Sequence, residues 1–447
     1  MFENVLGQPV ISLLSSDISG GILAPSMLFS GPQASGKGSA ALELGRVLSC
    51  EQTGAWNCSC PACARHRQLT HPDLLLLGPR NFSAEIAASA AAFLRDPPVP
   101  ATRFLFIRSV RKLLARFSPV LWEDDPKISK LNPLIQSLDE NLDELDAVDP
   151  EALTKTVDSI LKISFKLEAE GIGDRISVAQ VRRAAWWSRL APQGKRKLLV
   201  IENADHMQDG ARNSLLKILE EPPERVTIVL STAHYEALLP TILSRVRPYR
   251  FIARDKTVEA QVLRKIFRDP REQVDSISLY LDSFLPVSGE TLYPLGALFV
   301  ASVAMGSVIT LKRSGAPLND PLVSLGKYTA PIAEAAGLGR PLEDTKSLVS
   351  KVLEGADNFE LRSRFSQFLQ SLLTLIGESL NARETSLQVA GDPGALAYRD
   401  IWRAAVREAE SAVGTYNLSP ALALDRLASE LKRGMVSHGS PRLMETY

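Results

Sequence analysis

The chain has 447 residues, enough by length for about three domains, and its 45% apolar and 23% charged side chains are the balance of a globular protein with several cores. Lys plus Arg and Asp plus Glu each number 51, so the formal net charge is zero. That excludes a global field drawing the chain onto nucleic acid. A DNA contact needs a local patch or a basic face built with partners.

The N-terminus, MFEN, has an early acid and no basic stretch before an apolar run, which argues against a secretory leader and for a cytoplasmic protein. Met27 to Phe29 is a short apolar run without alternation, as in a strand covered on both faces. GPQASGKG follows, Gly31 to Gly38, and then a helical pattern from Ser39 to Leu48. This is the G-x-x-x-x-G-K core of a phosphate loop in strand–loop–helix context. Gly31 and Gly36 allow a tight turn whose backbone N–H groups face inward, and the helix N-terminus adds positive potential. Lys37 would reach the β- and γ-phosphates of ATP. A hydrolysing loop places Ser or Thr directly after the lysine to ligate Mg²⁺, and here that residue is Gly38. Ser39 lies about 100° further around the helix and is a poor substitute. ATP binding therefore stays open, and Mg²⁺ is expected to be badly held.

All four cysteines, Cys50, Cys58, Cys60 and Cys63, fall in one short window. Four thiols this close suit one structural Zn²⁺ better than two disulfides, with a redox role or unligated thiols as alternatives. His66 and His71 read as loop or capping residues. After a second apolar run, Leu74 to Leu77, residues 81–173 interrupt the α/β pattern with an acidic, helical stretch. Leu131, Leu134, Leu138, Leu142 and Leu145 share one helix face. Asp149 and Pro150 look like an N-cap and first-turn proline. A second stripe follows, Leu153, Val157, Ile160, Leu161 and Leu167, with Ser164 its polar member. The expectation is an inserted helical hairpin whose helices pack on each other with a solvated acidic face; a partner-docking arm is the alternative.

Leu198 to Ile201 and Val226 to Leu230 complete the expected parallel sheet. After the first of these, an ATPase of this kind needs a metal-binding acid and a general base; the aligned residues are Glu202 and Asn203. Asn203 cannot accept a proton, and Asp205 reads as a cap of the turn. Efficient hydrolysis by this chain is not expected. Beyond about residue 254 nothing reads as strand. Leu292 to Leu311 carries no charge, but Pro294, Gly296, Ser302, Gly306, Ser307 and Thr310 dilute it, so a buried helix or helix pair is preferred to a membrane span.

Several stretches, in order, resemble the AAA+ clamp-loader family of bacterial DNA polymerase III. FENVLGQ (Phe2 to Gln8) is similar to the opening box that packs near adenine, and HPD (His71 to Asp73) and NSLLKILEEPP (Asn213 to Pro223) are similar to shared stretches. LST (Leu230 to Thr232) resembles the sensor 1 strand, and ILSR (Ile242 to Arg245) the Ser-Arg-Cys motif, with Val246 in place of the cysteine. The resemblance covers about residues 1–80 and 174–254. It implies an α/β P-loop (AAA+) domain over 1–254 carrying a zinc knuckle (50–63) and the insert. An all-α lid over 255–312 and an all-α collar over 313–447 would follow. It places Thr232 at the nucleotide with Gly31, Gly36, Lys37, Gly38, Ser39 and Glu202. It makes Arg245 an arginine finger acting on a neighbour's nucleotide; taken alone, Arg245 reads as a surface arginine in an ion pair. The cysteine spacing is one residue shorter in two gaps than the family's zinc module.

Within the family, gamma/tau subunits keep the catalytic residues, whereas delta-prime subunits keep the fold and finger and lose them. IENADHM (Ile201 to Met207) resembles the delta-prime version. The resemblance thus implies a delta-prime-like subunit, weak or inactive as an ATPase, acting in replication as stator and finger donor. Its partners would be gamma/tau, delta, the sliding clamp and primed DNA, with no membrane. A gamma/tau-type motor is the alternative, and a P-loop protein outside replication the second. Arg182, Arg183, Arg196 and Lys197 could meet DNA phosphates, with solvated surface as the default.

Overall fold

The computed structural model describes residues 1–80, 82–145, 149–173, 175–269, 276–284, 289–315, 320–356, 362–387, 393–414 and 418–438. The chain divides into two compact units, Met1–Leu285 and Pro286–Tyr447.

The first unit is built on a parallel sheet of β1 (Ser26–Ser30), β2 (Leu74–Leu77), β3 (Lys197–Ile201), β4 (Val226–Thr232) and β5 (Arg247–Arg250), in the order β2-β3-β4-β1-β5. The four apolar runs form strands because both faces of the sheet are covered. Met27, Phe29, Leu76, Leu198, Val200 and Val229 pack with Ala40, Ala41 and Leu44 of the helix Lys37–Ser49 and with Phe2 and Val5. Leu28, Leu75, Leu77, Leu199, Ile201, Ile228 and Leu230 face the opposite layer. β5 escaped the apolar-run criterion because it is an edge strand: only Tyr249 of its four residues is buried, and Pro248 is tolerated there.

The insert is larger than a hairpin. Helices Ser83–Arg95 and Pro100–Leu114 precede the antiparallel pair Lys127–Glu144 and Pro150–Gly171. Leu131, Leu138, Leu142, Leu145, Val157, Ile160 and Leu167 are buried in the same cluster as Phe82, Phe93, Phe106 and the sheet residues. The insert therefore forms the cover of one sheet face. Asp149 and Pro150 take the N-cap and first-turn positions of Pro150–Gly171 as expected, and one detail differs. The Asp149 side chain makes no cap hydrogen bond. The capping of this region comes instead from Glu168, whose carboxylate accepts from the Phe82 and Ser83 N–H groups at 2.9 and 2.8 Å, at the start of Ser83–Arg95.

Helices Lys256–Val262 and Ile277–Asp282 belong to the first unit. Leu263, Phe267, Ile277 and Tyr280 share an apolar cluster with Ala88 of the insert. The expected domain boundary near 312 falls inside one helix, Gly289–Ser314, which opens the second unit. This helix is long and apolar enough to cross a membrane by length and composition. Its Leu295, Leu298, Phe299, Val300 and Val303 are fully buried with Leu322, Leu325, Phe368 and Leu372. Ser302 and Ser307 donate to the carbonyls of Leu298 and Val303 at 2.7 and 2.9 Å, so these two buried hydroxyls find acceptors within the helix. Among the described residues the regular structure of the second unit is all helix.

Candidate phosphate site and cysteine centre

The C-terminal ends of β1, β3 and β4 bring the loop Gly31–Gly36, Glu202 and Thr232 to one edge of the sheet, where open α/β sheets bind ligands. Gly31, Ala34 and Gly36 have φ of 146°, 54° and 97°, which turns the loop around the N-terminus of Lys37–Ser49. Lys37 Nζ donates to the carbonyls of Gly31 and Pro32 at 2.6 Å each. Burial lowers its pKa to about 8, against the opposing pull of Glu202 and Asp205. Ser39, two residues after Lys37, is partly buried. The opening segment flanks the loop: Gln8 exchanges two 2.9 Å hydrogen bonds with the Ile252 backbone, and Arg254 bonds to Leu6 O and Ala34 O.

Glu202 is the centre of the site. Its Oε1 accepts from Arg80 at 3.2 Å and its Oε2 from Arg116, whose side chain is 4% exposed. Arg80 also pairs with Glu85, and Lys112 pairs with the same carboxylate. Burial alone would raise the pKa of Glu202, but Arg80 and Arg116 outweigh it and hold the carboxyl below its ordinary range. In Glu85, Lys112 and Arg80 overcome burial and lower the pKa to about 2. A Cβ placed on Gly38 would stand 2.6 Å from Glu202 Oε1 and 3.2 Å from Arg80 Nη1. The position that should present a metal-binding hydroxyl thus backs directly onto a carboxylate already held by two guanidinium groups. These residues do not fit Mg²⁺.

Asn203 serves the backbone. It adopts φ 50° and donates to Pro79 O at 2.7 Å, tying the end of β3 to the loop after β2. The carboxylate of Asp205 does not cap its turn; its Oδ1 accepts from the Thr232 hydroxyl at 2.6 Å. Arg245 follows the short helix Pro240–Leu243. It donates to Glu220 at 2.7 and 3.1 Å and to Thr241 O at 2.7 Å. Lys197 cannot meet DNA: it is 3% exposed and donates to Trp187 O at 2.6 Å.

Arg80, Glu85, Lys112 and Arg116, the charged residues gathered around Glu202, are the ones that sequence reasoning missed. Arg80 had a usable signal, since it follows β2 at the ligand-binding edge of the sheet. Lys112 and Arg116 had none, because they lie in the insert.

Cys50, Cys58, Cys60 and Cys63 are all buried, with sulfurs within 4.8 Å of one another. The Cys50 sulfur lies 3.6 Å from that of Cys58 and 3.9 Å from that of Cys60. Tetrahedral Zn²⁺ with Zn–S near 2.3 Å needs sulfurs about 3.8 Å apart, so this donor set fits. Gln52 and Gly54 N–H groups donate to Cys50 Sγ at 3.4 and 3.2 Å, and Arg46 to Cys63 Sγ at 3.1 Å. The shortened spacing does not prevent convergence. His66 and His71 are not ligands in this set: they stack at 4.1 Å, with His66 buried in the helix Pro61–Gln68 rather than in a loop.

Strand order and the loop between β1 and the helix Lys37–Ser49 define a P-loop α/β protein. The chain matches the model of the family described as DNA polymerase III, delta subunit, over residues 7–128 and 140–255. This is more than half of its length, and the chain belongs to that family of clamp-loader AAA+ proteins. It is similar to the delta' subunit of DNA polymerase III from Bacillus subtilis, 42% identical over 14% of this chain and 20% of that protein. It is also similar to the gamma/tau subunit from Mycobacterium bovis, 31% identical over 19% of this chain and 14% of that protein. The chain therefore spans a fifth or less of the length of these relatives. A gamma subunit-related protein from Thermotoga maritima aligns at TM-score 0.28 and 19% identity, over 59% of this chain and 81% of that one.

Proposed function

We propose that this chain is a delta-prime-like subunit of the DNA polymerase III clamp loader, a stator that donates Arg245 to a neighbour's nucleotide and does not turn over ATP itself. The observation that carries the reading is Glu202. The carboxylate that would hold the metal is shared between Arg80 and Arg116 and pressed against Gly38. The next residue, Asn203, offers no general base and is engaged by Pro79 O. Arg245 retains a partly exposed guanidinium, held by Glu220 through bonds that a phosphate oxygen could replace. The four cysteines would hold one structural zinc. The partners would be gamma/tau and delta subunits, with the sliding clamp and primed DNA met in the complex, which implies a cytoplasmic place.

The test is steady-state ATP hydrolysis by a reconstituted loader carrying the wild-type chain, Lys37→Ala or Arg245→Ala. The expected outcome is a loss of at least tenfold with Arg245→Ala alone, since a finger supplied in trans is worth several orders of magnitude in some systems. If the isolated chain hydrolyses ATP and Lys37→Ala abolishes it, the chain is a gamma/tau-type motor.

A further inference from the structure

The insert does more than cover the sheet. Arg116 follows the helix Pro100–Leu114, is held by Trp122 donating to its carbonyl at 2.7 Å, and lies over the Phe82 ring at 5.4 Å. These contacts fix a guanidinium against Glu202 from within the insert. Among the described residues Arg116 Nε and Nη1 have no hydrogen-bond partner although the side chain is 96% buried, and buried donors of this kind ordinarily have one. Around the same loop stand Lys37, which leans on carbonyls alone apart from a 3.5 Å contact to Ser35 Oγ, and Arg254, bonded to Ala34 O. Lys37, Arg80 and Arg254 thus stand at a loop shaped for phosphate, and Arg116 stands behind Glu202, which the two guanidinium groups neutralise.

We propose that the Arg80–Arg116 pair, delivered in part by the insert, replaces the divalent ion, so that the phosphate loop takes the polyphosphate of a nucleoside di- or triphosphate metal-free. A guanidinium supplies fixed positive charge with planar donors and needs neither the hydroxyl that Gly38 lacks nor a free carboxylate. Mg²⁺ complexed to the nucleotide lowers its charge and brings a cation against two guanidinium groups, so metal weakens binding or leaves it unchanged. The inference rests on the reading of this site as one without turnover.

The test is calorimetric titration of the full chain with ATP and ADP, in EDTA and in excess Mg²⁺. Expected is measurable binding in EDTA, at least as tight as with Mg²⁺. Tightening by Mg²⁺ of threefold or more, or no binding under either condition at millimolar nucleotide, overturns the proposal. Arg116→Met should weaken binding in EDTA by about tenfold, the loss of one charge-assisted contact. Because that residue is buried, Arg80→Gln, at a side chain 29% exposed, provides a second variant with the same expected direction. Unchanged affinity in a folded Arg80→Gln chain would overturn the assignment of the cation. Mg²⁺-stimulated binding without hydrolysis would sink this inference and leave the proposed function standing, whereas hydrolysis by the isolated chain would sink both.

Discussion

Glu202→Gln is the perturbation with the largest expected consequence per atom changed. The substitution keeps the side chain's shape and removes its charge. Arg116 then loses its anionic partner in a site where it is 4% exposed, whereas Arg80 keeps Glu85. Breaking a buried pair by removing one partner costs about 3–5 kcal/mol. Arg116→Met is expected to cost less, about 1–3 kcal/mol, because Glu202 retains Arg80 at 3.2 Å. The double variant should be less destabilised than the sum of the two by about 2 kcal/mol. Urea unfolding followed by tryptophan fluorescence is a suitable assay, since Trp56, Trp122, Trp186 and Trp187, four of the five tryptophans, lie in the first unit. The pH dependence has a definite sign. The folded-state pKa values of Glu202 and Glu85 are lowered from 4.5, so their contribution is complete above that pH and is lost as pH falls through the folded values, about 2 for Glu85. Glu202→Gln should therefore flatten the acid limb of the stability curve. A coupling below about 0.5 kcal/mol, or an unchanged acid limb, would refute the description of Glu202 as locked.

The purified chain should carry about one zinc, and Cys63→Ser should release most of it and lower the melting temperature, read by elemental analysis and thermal scanning. Gly78→Ala should destabilise the first unit by more than about 2 kcal/mol in urea unfolding, because φ there is 112° and an added Cβ would collide with the Glu202 carbonyl. Leu298→Ala, at a fully buried position of the helix Gly289–Ser314, should cost the second unit about 2–5 kcal/mol and leave nucleotide binding in the first unchanged.

Local chemistry made much of this protein legible in its sequence. The phosphate loop, four of the five strands and the cysteine group depend on residues adjacent in the chain: glycines that allow positive φ, apolar runs that need two covered faces, and thiols within fourteen residues of one another. The absence of a hydroxyl at position 38 and of a base at Asn203 could be read in the same way, because both motifs are contiguous. The edge strand β5 was hidden because an edge needs only one buried residue, Tyr249.

Only the tertiary structure decided which groups engage Glu202. Arg116 stands 86 residues from Glu202 and Arg80 stands 122, and no periodicity links a residue after an inserted helix to a strand end. An ion pair over that separation is specified by packing: Phe82, Trp122 and the cover of the sheet hold Arg116 where Glu202 emerges. The same holds for Asp205, whose bond to Thr232 depends on the adjacency of β3 and β4 rather than on its place in the turn. Sequence specified which groups are present at the phosphate loop, whereas long-range packing set which charges face one another, because electrostatic pairing depends on distance in space and not along the chain.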